Sequence, residues 1–104
     1  MRASLFLLIA FGAFGGELTG YISDVACGWN NARAAKEAKE CAQKCVKAGW
    51  DPVFVPDGKM DAYKFKAKAR ALPYVGEHVR ISGSLSQDVL TVHSIRKLGP
   101  SRTR

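Results

Sequence analysis

The first sixteen residues, MRASLFLLIAFGAFGG, decide how much of this chain is left to fold. Arg2 gives a positive start. Residues 3–14 are apolar apart from Ser4 and Gly12, and Ala13-Phe14-Gly15 offers the small residues of a cleavage motif. That is the layout of a secretory signal peptide, which is removed and takes no part in the fold. A bilayer-spanning helix needs about 20 apolar residues. This run is shorter, so cleavage after Gly15 or Gly16 is the expectation. The alternative is an uncleaved anchor that holds the domain on the membrane. No cysteine ends the apolar run, so a bacterial lipid anchor has no attachment point there, and no second hydrophobic stretch follows. The organisation expected is a signal or anchor segment over 1–16, one domain over 17–98 and a flexible basic tail over 99–104. A domain of that size carries one modest core. Its expected location is periplasmic or secreted, or membrane-anchored and facing the periplasm.

The domain reads as short strands around one helix. Residues 18–24 have the aromatic and β-branched content of a strand that runs into a Cys-Gly turn. Asn30 or Asn31 offers a helix N-cap. Residues 32–48 separate cleanly at 100° per residue. Ala34, Ala38, Cys41, Cys45 and Ala48 form one stripe, widened by Ala35, Ala42 and Val46. The charged residues take the opposite arc, so the stripe is expected to lie on something apolar. Gly49 stops the helix. Residues 53–55 and 60–65 are strands joined by Pro56-Asp57-Gly58-Lys59, where Asp and Gly supply turn geometry. Residues 66–72 are a short Ala-rich helical segment that Pro73 ends. Val79, Ile81, Gly83 and Leu85 alternate with polar residues, Ser86-Gln87-Asp88 turns the chain, and residues 89–95 return with Leu90 and Val92 inward.

Five strands in this order give a mainly β (α+β) fold, an OB-like (oligonucleotide/oligosaccharide-binding) barrel. An amphipathic helix is inserted between strands 1 and 2, and a short helix lies between strands 3 and 4. Residues 19–24, 53–59 and 75–83 resemble the small secreted bacterial OB-fold proteins of uncharacterised function. In that family a leading strand runs into Cys-Gly, a helix carries cysteines, and a closing hairpin ends the domain. Here that hairpin is residues 79–95, with Ser94-Ile95 at its end. Members of the family often carry a His shortly after Cys-Gly. Trp29, Asn30 and Asn31 stand there instead, a departure from a metal-binding pattern.

Cys27, Cys41 and Cys45 are the one cluster with chemistry in it. Cys41 and Cys45 are four apart and share a helix face, here the face read as buried. In an oxidising compartment a bridge from Cys27 to either would pin helix to strand. A loop of roughly 15 residues closed this way is worth about 3 kcal/mol. The pairing stays open. The alternative is a thiolate site for Cu or Zn, with His78 and His93 the available imidazoles. There is no C-x-x-C and no C-x-x-C-H, so neither a thioredoxin-type motif nor covalent haem attachment is supported.

A net charge of +7 points toward anionic partners, and nucleic acid is the least available of these outside the cell. Aromatic and basic residues on the barrel face make Tyr63, Lys64, Arg80 and His93 the candidate ligand contacts. The competing reading is that the aromatics fill the barrel. Trp29 and Trp50 bracket the helix and read as staples to the barrel, or as docking anchors for a partner. Nothing resembles a catalytic triad or a phosphate loop. The expected function is a non-enzymatic, exported binding module for a protein complex or an anionic polymer, with no cofactor. One alternative is a thiol-based metal-binding or redox protein. Another is an accessory subunit of a membrane complex, held by the uncleaved N-terminal segment.

Overall fold

The computed structural model describes residues 16–99. The signal or anchor segment expected over 1–16 falls almost wholly outside them, as does most of the tail expected over 99–104. Five strands close a mainly β barrel: β1 (Gly16–Asp24), β2 (Pro52–Pro56), β3 (Tyr63–Phe65), β4 (His78–Ser86) and β5 (Val89–Lys97). Around the barrel the order is β1-β2-β3-β5-β4, and β4 returns to β1. All pairings are antiparallel except that of β3 with β5.

β1 closes the barrel because its first half pairs with β4 and its second half with β2. Gly20 lies opposite both Val79 and Pro56. A methyl group there would strike the Val55 carbonyl oxygen, with Pro56 Cα at 2.8 Å and the Phe54 ring tip at 2.9 Å. The glycine therefore lets three strands meet closely. Gly83 does the same against the Thr91 carbonyl, where the register of β4 and β5 slips by one residue. His93 is the residue left over in that slip, a β-bulge that bends the strand. The hairpin turn is tight: Gln87 and Asp88 both have positive φ, 52° and 66°, as the two central residues of a type I′ turn require.

The core is Ile22, Phe54, Phe65, Val79, Ile81 and Leu90 from the strands, capped by Ala42, Ala71 and Val75. Each strand contributes one or two large residues, which is how a small barrel fills its interior. Leu85, the last apolar residue of the alternation in β4, is exposed, because it stands beside the hairpin turn, past the end of the core.

The long helix α1 (Lys36–Lys47) follows β1 and precedes β2. It is shorter than the 32–48 expected, and its N-cap is Ala35 rather than an asparagine. The asparagines belong to a 3-10 turn, Gly28–Asn31, where the Asn31 amide turns inward to a carboxylate instead of capping a helix. The C-terminus fits the reading of Gly49. With φ of 110° at Gly49, the Gly49 N–H donates to Val46 and the Trp50 N–H to Cys45, the two bonds of a Schellman motif. The buried face of α1 is centred on Ala38 and Ala42, with Val46 packed against the core and Cys41 left exposed. The helix is thus rotated away from the expected cysteine-centred stripe. The segment expected as a helix over 66–72 is two single 3-10 turns, Lys68–Arg70 and Leu72–Tyr74. Residues 60–62 stay outside β3, with Met60 exposed. Among the described residues, no helix is long and apolar enough to cross a membrane.

Candidate metal centre

The end of β1 builds one side of the site. Asp24 is completely buried. Its carboxylate accepts the Cys27 backbone N–H at 2.8 Å and the Asn31 side-chain amide at 3.1 Å. Ser23 Oγ donates to the Gly28 carbonyl at 2.8 Å, and the Val25 N–H donates to the Asp51 carbonyl at 2.9 Å. A buried carboxylate is tolerated when hydrogen bonds replace its water. Here those bonds fix the turn that carries Cys27. Asp24 was expected as the last residue of the first strand, and its role as the anchor of the following turn was missed. Its signal was the Asp-x-x-Cys spacing, which lets a side-chain oxygen reach the N–H three residues on.

Helix α1 supplies the other side. It packs against β1 and the 3-10 turn, so its cysteine-bearing edge meets Cys27 rather than the barrel interior. The three sulfur atoms lie within 4.8 Å of one another. All three are free thiols, and Cys41 is the most exposed. No His, Asp or Glu joins this group among the described residues. His78 is held elsewhere by Asp57, at 2.9 Å, and stacks on Tyr21.

Desolvation, then the Asp24 charge and the neighbouring cysteines, push the Cys45 thiol up to about 11. The same causes raise Cys27, which also shares hydrogen bonds with Cys41 and Cys45. In the metal-free cluster Cys27 and Cys45 are therefore held as neutral thiols at neutral pH. A bound thiophilic cation reverses that preference, because coordinated thiols lose their protons outright.

Asp24→Ala should lower the unfolding free energy by about 1–3 kcal/mol, since it strands the buried Asn31 amide and the partly buried Cys27 N–H. Asp24→Asn keeps a carbonyl acceptor and should lose less. Urea midpoints of the two variants give the comparison. Equal midpoints for Asp24→Ala and the parent would show that the turn does not depend on the carboxylate.

The candidate ligand contacts are not gathered in one place. Tyr63 packs against the core, and burial raises its phenol. Lys64 is exposed on β3, between β2 and β5. Arg80 lies on β4, beyond β5, in a shallow groove with Glu17, Ser82, Ser94 and Arg96. His93 is the exposed bulge residue, and its carbonyl accepts from Arg70 at 3.1 Å. Phe54, Phe65 and Tyr21 are buried. Trp29 and Trp50 are not buried as staples, since each leaves about half its surface in solvent, 50% and 52%. The Schellman turn alone closes the end of α1, and Trp50 projects beyond it.

A scan of protein-family models, a search of curated proteins and a search of solved structures each return no match to this chain.

Proposed function

We propose that this is an exported, non-enzymatic protein that holds one soft, thiophilic metal ion on Cys27, Cys41 and Cys45. The observation that carries the reading is the convergence of three sulfur atoms, from two separate elements, within 4.8 Å of one another. Tetrahedral thiolates around zinc at about 2.3 Å stand about 3.8 Å apart, so small side-chain rotations suffice. Three sulfur donors with no fourth protein donor in the group suit Cu(I), which soft thiolates select. Zinc would need a further ligand from solvent or a partner. Binding releases the thiol protons to solvent and involves no electron transfer. Export rests on the layout of residues 1–16. An OB-like barrel is supported by the closure of β1 on both β2 and β4 and by the parallel β3–β5 pair. The barrel class does not by itself name a ligand.

The same closeness favours a second reading, in which one disulfide forms outside the cell and one thiol remains. An anaerobic titration of the reduced, metal-free protein separates the two. Cu(I) is added against a chromogenic Cu(I) chelator, and Zn(II) is added in a parallel series. One equivalent of Cu(I) should be withheld from the chelator. Cys45→Ser should weaken that binding by more than the roughly 10–100-fold typical of second-shell changes. Failure of the reduced protein to compete for either ion would overturn the metal reading.

A further inference from the structure

A second concavity, of about 360 Å³, opens at the start of α1 and reaches the end of β5. Arg33, Lys36, Lys39 and Lys97 all line it, with Glu77 as its one carboxylate. These cations come from the loop before α1, from its first turn and from β5. Their gathering is a product of the fold, not of a run in the sequence. Glu77 is already engaged by Lys39 at 3.0 Å. Lys36 and Lys97 have no acidic partner among the described residues. Arg33 Nε donates to the Asn30 carbonyl at 3.0 Å, which leaves the terminal guanidinium nitrogens for another acceptor. His78, stacked on Tyr21 at 4.6 Å, lines the same concavity. Its Nε2 is committed to Asp57. Ala35 and Lys36, at the start of α1, line the concavity, and Ala35 at the N-cap offers no side-chain acceptor to the first amides of the helix.

We infer that this concavity binds a small, multiply charged oxyanion of the phosphate class. The lining matches that chemistry: a guanidinium for paired oxygen contacts and lysines as point charges. A volume of about 360 Å³ is at the low end for ligand pockets, which suits a compact anion over a long polymer. The site is separate from the thiol cluster and stands whether or not that cluster takes a metal. It places anion recognition on the α1–β5 side of the molecule rather than at Lys64 and Arg80.

The test is calorimetric titration of the full, metal-free chain with inorganic diphosphate in about 0.15 M salt, where surface charges more than about 8 Å apart are largely screened. One diphosphate should bind per chain. Lys36→Gln and Lys97→Gln should each weaken binding at least tenfold. Lys44→Gln, which removes an equal charge near the far end of α1, should leave it unchanged. All three side chains are exposed, so these variants retain the fold. Loss of binding at this salt concentration, or equal weakening by Lys44→Gln, would show only diffuse attraction to a basic protein and would overturn the proposal.

Discussion

Phe54→Ala is expected to lower the unfolding free energy by about 3–5 kcal/mol, the usual cost of deleting a buried phenylalanine. Phe54 is fully buried at the centre of β2, and its ring tip lies under Gly20, where β1 crosses closest. β2 pairs with β1 on one side and β3 on the other. The cavity would therefore open between three strands, and the tight backbone contacts at Gly20 leave little room for collapse. A domain this small has a stability near the low end of about 5–15 kcal/mol, so the variant should be largely unfolded at 37 °C. Phe54→Leu keeps more of the volume and should lose less. Urea denaturation followed by tyrosine and tryptophan fluorescence measures both. A loss under about 1 kcal/mol for Phe54→Ala would mean that the barrel is not packed around this ring.

The second large effect is stabilisation by metal. An ion bound only by the folded chain, at a thousandfold excess over its dissociation constant, adds about 4 kcal/mol. For a domain this size each kcal/mol moves Tm by about 4–8 °C, so Cu(I) should raise Tm by roughly 15–30 °C. The gain is large because the ion ties the turn after β1 to α1, two elements otherwise held together by packing. Cys41→Ser should abolish most of the gain. Its metal-free Tm should stay within about 5 °C of the parent, because surface substitutions usually change stability by less than about 0.5 kcal/mol and Cys41 is exposed. A thermal scan of parent and variant, with and without Cu(I), reads both. An equal metal-induced shift in the two would place the ion elsewhere.

The strands were legible because their signals are local. Val79 and Ile81 alternate with Arg80 and Ser82, and the structure buries the first pair. Pro56-Asp57-Gly58 is a turn, and Gly49 ends α1, where φ of 110° requires a glycine. The start of α1 was not legible. Asn30 and Asn31 are good caps by residue type, but Asn31 is consumed by Asp24, a partner that only the folded turn brings near. Periodicity correctly gave α1 an apolar side. It could not say that the cysteine edge of that side would meet Cys27 while Ala38 and Ala42 met the barrel. The cysteine cluster was therefore visible as a list of residues, and its convergence was not. The basic concavity was less visible still. Arg33, Lys36, Lys39 and Lys97 are spread over more than half of the domain and read singly as a solvated surface.

The most direct test of the thiol assignment is a native mass spectrum of the exported protein, purified without reductant or chelator and followed by alkylation before and after metal removal. A chain carrying one copper or zinc ion should resist alkylation, then take up three alkyl groups once the metal is stripped. A metal-free chain lighter by the two hydrogens of a disulfide, and taking up a single alkyl group, would contradict the account and make the cysteines scaffolding.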